Sequence, residues 1–404
     1  MKHNPTAFLA TEMSEIREGG REWIHRTLEG ASDTVCKVEG KNVIMLCSNN
    51  YLGLSNHPKM KEAAIAAIKS HGVGSGSVRA IAGNMDLHEK WEKRLAEFKK
   101  QEAAFITSAG FTANQGVIQQ LAPTTEDVIL SDRLNHGSII DGVRATKAKR
   151  AVYEHCDMVS LETELNKLIK GDPRRVLVIS DGVFSMDGDF APLDEIYKIC
   201  EPHGNVIIYV DDAHGDGVLG KNYSGKGLVD HFGLQGKVHI EMGTFSKAFG
   251  TMGGSIVGSQ ELITWCRNKT RSYLLSGSHP PATAAASIKA LDIIEYEEPD
   301  LVKNLWEKIS YFKDRIIEMG YNHEITSASG TAIIPIIFGD PYKAKEASDL
   351  LYSDYSIFAL PIVFPMVPRG LDRIRVQMNA ALSKEQLDKA LGAFEELGNK
   401  LKIF

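Results

Sequence analysis

Beyond Pro58 the chain alternates helical stretches with short, β-branched apolar runs, and this alternation constrains the fold more than any other feature of the sequence. Successive parallel strands need a crossover connection, usually a helix, so repeated strand and helix units form a mostly parallel sheet covered on both faces. We therefore predict a large α/β domain. Its strands are expected at Ala103 to Thr107, Asp127 to Leu130, Arg175 to Ser180, Asn205 to Val210 and Val238 to Met242.

The N-terminal part of the chain has a different pattern. Residues 8–28 carry apolar groups at helical spacing, and residues 34–47 predict two short strands around a turn at residues 39–41. We expect an N-terminal arm at residues 1–50, followed by the large domain at residues 51–290.

The pattern changes again after a helical stretch at residues 282–297. Apolar runs at residues 331–338 and 373–378 flank helical stretches at residues 342–352 and 384–400. We predict a small α+β domain at residues 291–404. With 404 residues the chain is longer than one hydrophobic core usually spans, which agrees with a large domain and a smaller one.

Composition excludes several classes of function. The formal net charge is −6 and the basic residues are spread along the chain, which is atypical of a nucleic-acid-binding protein. Five cysteines without a CxxC pair indicate neither a disulfide framework nor a zinc site, so no metal is expected. No apolar stretch approaches bilayer length and Met1 to Phe8 does not resemble a signal peptide, so we expect a cytoplasmic protein without a membrane partner.

Two polar motifs follow predicted strands. Asp211 and His214 come directly after the strand at Asn205 to Val210, and ligands of open α/β sheets bind at such strand ends. Lys247 lies 36 positions after Asp211, among small residues that follow the next strand. Each residue alone is more typical of a helix cap or a surface charge, but their order and spacing together predict a site.

This pair suits pyridoxal phosphate (PLP). The cofactor needs a carboxylate to keep its pyridine nitrogen protonated, for which Asp211 is the candidate, and a partly desolvated lysine amine to form an imine, for which Lys247 is the candidate. Residues 108–114 follow a predicted strand and open a helix, where free amides could bind the phosphate. Taken alone, that segment is more typical of an ordinary glycine-containing turn.

Two glycine-rich segments resemble nucleotide motifs and are rejected. Residues 220–227 match the P-loop spacing except at the last position, where Gly227 replaces the magnesium-binding Ser or Thr, and no strand immediately precedes them. Residues 72–76 lack the full dinucleotide fingerprint. A nucleotide-dependent enzyme or a nicotinamide enzyme is therefore a distant alternative.

Six ordered motifs resemble the α-oxoamine synthases, which are fold type I PLP enzymes that condense an amino acid with an acyl-CoA thioester. The resemblance implies an aminotransferase-like α/β fold, PLP as cofactor and an amino acid and an acyl-CoA as substrates. The motifs are SNNYLGLSNHP (Ser48 to Pro58), DRLNHGSIIDG (Asp132 to Gly142), DGVFSMDGDFAPL (Asp181 to Leu193), DDAHGDGVLG (Asp211 to Gly220), TFSKAFGTMGG (Thr244 to Gly254) and RIRVQMNAAL (Arg373 to Leu382).

The resemblance assigns roles by position. His136 matches the histidine that stacks on the pyridine ring, Asp211 the partner of the ring nitrogen, and His214 the group that contacts the phenolic oxygen. Lys247 matches the lysine that carries the cofactor and removes the substrate α-proton. His136 could also stabilise the thioester oxyanion.

Further residues match cofactor and substrate contacts. Ser185 resembles the serine near the reactive face of the cofactor. Ser276 and Ser278 match a segment that reaches the phosphate of the other subunit, so the resemblance implies a homodimer. Arg375 and Asn50 resemble the groups that bind the amino-acid carboxylate, while Arg373 is expected on the opposite strand face as a surface charge. The matching phosphate ligands are Gly110, Phe111, Thr244 and, from the second subunit, Ser276 and Ser278.

The subfamily is less well defined by these motifs. Residues 76–83, 135–158 and 337–376 look closest to glycine C-acetyltransferase, so glycine and acetyl-CoA are the expected substrates. The DDAHG form and Gly110 equally resemble 8-amino-7-oxononanoate synthase, which uses alanine and a pimeloyl thioester. Serine palmitoyltransferase and 5-aminolevulinate synthase are further alternatives, as is a catalytically idle regulatory subunit. One departure is Leu382, where the family commonly has histidine.

Overall fold

The computed structural model describes residues 4–18, 22, 25–321 and 323–404. The N-terminal elements are α1 (Phe8–Glu18), β1 (Leu28–Glu29), β2 (Val35–Val38) and β3 (Lys41–Met45). Strands β2 and β3 form the predicted antiparallel hairpin, whose turn places Glu39 and Gly40 at positive φ. The predicted helix at residues 8–28 ends at Glu18, and residues 19–21, 23 and 24 lie outside the described part of the chain.

The central sheet has seven strands among the described residues, in the order β4-β10-β9-β8-β7-β5-β6. Strands β5 to β9 are parallel, whereas β10 lies antiparallel between β4 and β9. The strands are β4 (Ala103–Thr107), β5 (Asp127–Asp132), β6 (Lys149–Tyr153), β7 (Arg175–Asp181), β8 (Val206–Asp211), β9 (Ile240–Thr244) and β10 (Gly254–Gly258). This confirms the predicted fold class, and adds β6 and β10 to the five predicted strands.

Helices cover both faces of the central sheet, as buried parallel strands require. Strands β4, β5, β9 and β10 are buried along their whole length, because packed helices shield both of their faces from water. The helices are α2 (Pro58–His71), α3 (Asp86–Lys99), α4 (Gly110–Leu121), α5 (Gly137–Arg144), α6 (Met158–Ile169), α7 (Leu193–Cys200), α8 (Leu228–Phe232), α9 (Gln260–Lys269), α10 (Arg271–Leu274) and α11 (Pro281–Asp292).

The C-terminal region contains a second, antiparallel sheet in the order β11-β14-β13. A short strand, β12, instead pairs in parallel with β3, so one four-stranded sheet joins the two ends of the chain. The elements are α12 (Leu301–Glu318), α13 (Glu324–Ala328), β11 (Ile333–Ile337), α14 (Pro341–Ser353), β12 (Ile357–Phe358), β13 (Pro361–Ile362), β14 (Arg373–Gln377) and α15 (Lys384–Lys400). The division at residues 50 and 290 stays a prediction.

Within the described ranges, no helix is both long and apolar enough to cross a lipid bilayer.

The direction of the strands determines where the site lies. Strands β4, β5, β7, β8 and β9 run the same way, so their carboxyl ends meet at one edge of the sheet. Thr107, Asp132, Asp181, Asp211 and Thr244 are the last residues of these strands and are all buried.

Candidate active site

A cavity of about 220 Å³ lies at this carboxyl edge of the central sheet. It brings together eight of the residues that the sequence predicted for the site: Gly110, Phe111, His136, Ser185, Asp211, His214, Thr244 and Lys247. The other lining residues are Ala109, Ser138, Asp181, Val183, Ala213, Met242 and Ser246.

Asp211 ends β8 and is held by two hydrogen bonds. Its Oδ2 accepts from Asn114 Nδ2 at 2.6 Å, and its Oδ1 accepts from the Ala213 amide at 3.0 Å. Asn114 is in turn fixed by Tyr209, whose hydroxyl donates to Asn114 Oδ1 at 2.7 Å, and by Ser138, which accepts from Asn114 Nδ2 at 2.8 Å. The carboxylate therefore has a defined orientation at the floor of the cavity.

Asp181 is a second cavity acid that sequence analysis missed. It ends β7, directly opposite Asp211 in the register of the sheet, and is buried. Burial raises the pKa of Asp181 well above its usual range, and the nearby charge of Asp211 raises it further. Its Oδ2 accepts from the His136 amide at 3.1 Å, while its buried Oδ1 has no partner among the described residues. The motif that begins at Asp181 could have indicated this acid.

Lys247 follows β9 and lines the cavity. Burial lowers the pKa of its amine to about 8, and the positive charge of Arg375 lowers it too, whereas Asp211 and Asp181 act in the opposite direction. Within the described residues the amine makes no hydrogen bond or ion pair, so it is available to react. A lysine with a lowered pKa and a free amine is suited to imine formation.

His136 caps the N-terminus of α5 and stands on another side of the cavity. Its Nδ1 lies 2.7 Å from Ser138 Oγ and accepts from the Ser138 amide at 3.2 Å. Partial burial lowers the pKa of His136; the charge of Asp211 opposes this shift and the charge of Lys247 adds to it. These contacts fix the orientation of a largely neutral ring.

His214 is buried beside the cavity, and its Nδ1 lies 2.7 Å from the Tyr51 hydroxyl. Burial and the charges of Lys247, Arg375 and His136 hold the pKa of His214 well below its usual range, so the ring is neutral. Burial also raises the pKa of Tyr51, so its hydroxyl stays protonated. With this hydroxyl donating to Nδ1, the ring proton of His214 would sit on Nε2, where it can be donated to an oxygen in the cavity.

The first turn of α4 provides the predicted phosphate site. The first amides of a helix have no partners within the helix and point towards an anion at its N-terminus. A Cβ added to Gly110 would lie 2.9 Å from Met242 Cε, the end of a flexible side chain, and 3.4 Å from Thr244 Cβ, so glycine leaves the most room at this helix N-terminus. Thr244 itself donates to the Gly253 carbonyl at 2.9 Å.

The residues of the cavity fit PLP. A held carboxylate, a free lysine amine and a helix N-terminus are the groups that this cofactor requires around its ring and its phosphate. The buried Asp181 Oδ1, which has no partner among the described residues, leaves a polar contact open to a bound group.

The two predicted carboxylate ligands lie outside the lining of this cavity. Arg375 Nη1 donates to the carbonyl of Ser185 at 2.8 Å, which places the guanidinium beside the cavity. Asn50 is buried, and its Nδ2 has no partner in the described part of the chain. A buried amide donor without a partner is rare in proteins and is consistent with a ligand contact.

The expectation for Arg373 was wrong in both respects. Residues two apart on a strand share a face, so Arg373 and Arg375 point the same way from β14. Arg373 is wholly buried; it forms an ion pair with Asp187 and donates to the Met186 carbonyl at 2.9 Å. Arg373 therefore stabilises the segment that carries Ser185.

Ser276 and Ser278 do not line the cavity of their own chain. The Ser278 amide and hydroxyl donate to the Ser77 carbonyl at 3.0 and 3.2 Å. In the P-loop-like segment, the lysine at the motif position, Lys226, pairs with Glu295, which agrees with its rejection. Leu382 is buried in the main hydrophobic core rather than at the cavity.

Comparisons with known proteins agree with this geometry. Residues 41–394 match the family model of the class I and II aminotransferases. An 8-amino-7-oxononanoate synthase of Petrotoga mobilis is 49% identical over 393 residues, which covers 97% of this chain and 98% of that protein. The 8-amino-7-oxononanoate synthase 1 of Bacillus subtilis is 45% identical over 396 residues, 98% of each chain.

Solved structures match over the whole chain as well. The serine palmitoyltransferase of Sphingomonas wittichii has a TM-score of 0.91 at 28% identity and covers 100% of both chains. The enzyme of that name from S. paucimobilis, bound to PLP and myriocin, has a TM-score of 0.90 at 28% identity and covers 99% of this chain and 98% of that one.

Proposed function

The chain belongs to the α-oxoamine synthases within the class I and II aminotransferase family, and from this premise we propose that it condenses alanine with a pimeloyl thioester on PLP. The observation that supports this substrate pair is the set of relatives at 43–49% identity, which cover 97–98% of the chain and are named as 8-amino-7-oxononanoate synthases. They favour this alternative over the expected glycine and acetyl-CoA.

PLP, when bound, supplies a ring that accepts electrons from the α-carbon of the amino acid. Asp211 would pair with the ring nitrogen and hold a proton there by its charge. His214, whose orientation Tyr51 fixes, would donate to the phenolic oxygen. The amides of Gly110 and Phe111, at the start of α4, would hold the phosphate.

Lys247 has two tasks in this reaction. Its amine would hold the cofactor, and as a free amine it would remove the α-proton from the substrate. A pKa of about 8 suits both tasks, because a base acts best when its pKa lies near the working pH. The nucleophilic α-carbon then attacks the thioester carbonyl, the carbon–sulfur bond breaks and the thiol leaves.

His136 and Arg375 act on the substrates. His136, which lines the cavity, would hold the cofactor ring from one side, and its Nε2 would stabilise the oxyanion that develops on the thioester carbonyl. Arg375 and Asn50 bind the amino-acid carboxylate, for which a guanidinium offers two parallel hydrogen bonds. We also propose a homodimer, in which Ser276 and Ser278 reach the phosphate of the other subunit.

The test is a panel of substrates. Free thiol release should be measured for the holoenzyme with pimeloyl-CoA, acetyl-CoA and palmitoyl-CoA, each combined with alanine, glycine and serine. We expect alanine with pimeloyl-CoA to give the highest kcat/KM. A higher value for glycine with acetyl-CoA, or for serine with palmitoyl-CoA, would replace this substrate assignment by the corresponding alternative.

A second experiment separates the enzyme from an idle subunit. Lys247→Ala should abolish the visible absorbance of the attached cofactor and thiol release together, with Lys269→Ala, an exposed lysine of α9, as the control. A colourless wild-type protein that binds no PLP would contradict the proposal. Arg375→Lys should raise the KM for alanine at least tenfold and change kcat less, because one bidentate contact is lost.

A further inference from the structure

The segment of residues 183–190 forms one wall of the cavity through Val183 and Ser185. It is a tight loop, closed by hydrogen bonds from the Phe184 amide to the Asp189 carbonyl and from the Gly188 amide to the Phe184 carbonyl, both 2.9 Å. On the side of β14 it is held by Arg373 and Arg375. On its other side one ionisable group from the described part of the chain holds it.

That group is His155, which follows β6 and lies between two carboxylates. Its Nδ1 is 3.1 Å from Asp132 Oδ1, and its Nε2 is 2.9 Å from Asp189 Oδ2. The ring also packs edge-on against Phe184, with 4.3 Å between the ring centroids. His155 thus joins the loop that carries Ser185 to the end of β5.

Asp132 passes this connection on to His136. The carboxylate ends β5, is buried, and accepts from the amides of Leu134 at 2.8 Å and Cys156 at 3.0 Å. It therefore fixes the turn that leads directly to His136. Through Asp132 and Asp189, one imidazole ring sets the separation of the His136 wall and the Ser185 wall.

Both ring nitrogens must donate, because an ionised carboxylate only accepts hydrogen bonds. The ring is therefore an imidazolium with a positive charge between two negative ones. In agreement, the hydrogen bonds to Asp132 and Asp189 raise the pKa of His155 to about 12, although burial opposes the charge and lowers it. Asp132, His155 and Cys156 are also close enough to ligate a metal, but the two ring nitrogens already bind carboxylates.

We propose that His155 is a positioning residue, which as an imidazolium between Asp132 and Asp189 holds the Ser185 loop and the His136 turn at the separation that the reaction needs. This proposal rests on the proposed function only for the roles of Ser185 and His136. It contributes nothing to the choice of substrates.

The test compares the holoenzyme with His155→Gln, which removes the charge and carries both of its donors on one nitrogen, so that it cannot donate to both carboxylates from opposite sides as the ring does. We expect kcat to fall at least tenfold and the absorbance maximum of the bound cofactor to shift, while PLP remains bound. The matched control is His71→Gln, which breaks an exposed histidine pair with Asp86 (2.9 Å) on another part of the surface and should change neither value.

A double-mutant cycle identifies the path. Asp189→Asn alone should lower kcat in the same direction, and His155→Gln combined with Asp189→Asn should lose little more than the larger single effect, because both act through one contact. If His155→Gln does not fold, Asp189→Asn with its spectrum provides the same readout.

Three results would overturn the proposal: unchanged kcat and spectrum in either single variant, a loss of thermal stability without a change in kcat, or losses that multiply in the double variant. Loss of activity on treatment with a chelator, restored by zinc, would also overturn it, since a metal rather than a proton would then hold the ring. If the wild-type protein releases thiol with none of the tested substrate pairs, that result would instead contradict the proposed function.

Discussion

Replacing Gly254 by alanine should weaken PLP binding without changing a single residue that touches the cofactor. Gly254 begins β10, and a Cβ added there would lie 2.5 Å from the Ala109 carbonyl carbon and 2.7 Å from the Gly110 amide nitrogen, with the Ala109 oxygen closer still. These are backbone atoms at the start of α4, so they cannot rotate away. The amide of Gly110 must retreat by roughly 0.7 Å to regain van der Waals separation.

Such a shift decides the strength of the phosphate contact. A hydrogen bond of about 2.9 Å that lengthens to roughly 3.6 Å is no longer a hydrogen bond. A hydrogen bond to a charged group contributes about 1.5–3 kcal/mol, so the loss of one should raise the Kd for PLP about 10- to 150-fold. The strand should tolerate the change at a cost of about 1–3 kcal/mol in stability.

The assay is titration of the apoenzyme with PLP, followed by visible absorbance, together with thermal unfolding of the apoenzyme. The matched control is Gly258→Ala at the other end of β10, where the new Cβ would lie 2.7 Å from the His239 carbonyl oxygen and 2.8 Å from Leu262 Cδ2. It should lower stability similarly and leave the Kd unchanged. Wild-type affinity in Gly254→Ala, or equal weakening in both variants, would refute the reasoning.

Two further predictions concern ionisation in the cavity. The pKa of the Lys247 amine is lowered to about 8, so the amine is protonated below that pH and cannot react. The rate at which the apoenzyme binds PLP covalently, measured by stopped-flow absorbance, should therefore rise with pH and level off above about 8. A rise that continues to pH 10 would contradict the lowered pKa. Because burial raises the pKa of Asp181 well above its usual range and so favours its neutral form, Asp181→Asn should retain thiol release within about tenfold of wild type. Asp211→Asn should lose at least 100-fold. Equal losses in the two variants would contradict this difference between the acids.

The sequence was informative where one local pattern decides the structure. The run Ala103–Thr107 is a strand with the predicted bounds, and α15 spans the predicted residues 384–400, because apolar periodicity is a property of neighbouring residues. Strand β6 was missed because it lies at the sheet edge and exposes charged Lys149 and Arg150. Strand β10 was missed because glycine and serine weaken its β pattern.

In the candidate site, too, local sequence patterns indicated only part of the structure. The motifs identified the residues around the cavity, but their partners come from distant parts of the chain and no local pattern indicates them. Tyr51 contacts a histidine 163 positions away, and Asn114 an aspartate 97 positions away. The burial of Arg373 was hidden for the same reason, since its partner Asp187 lies 186 positions earlier.

The pairing of β3 with β12 has a consequence for how the enzyme is made. The proposed cofactor groups that line the cavity lie between Gly110 and Lys247, whereas the proposed carboxylate ligands are far apart in the chain: Asn50 follows β3, and Arg375 lies on β14, close after β12. These two ligands can act together only after the C-terminal part of the chain has been made. A product cut short before residue 357 would lack β12, β14 and Arg375, and with them half of the proposed contact with the amino-acid carboxylate.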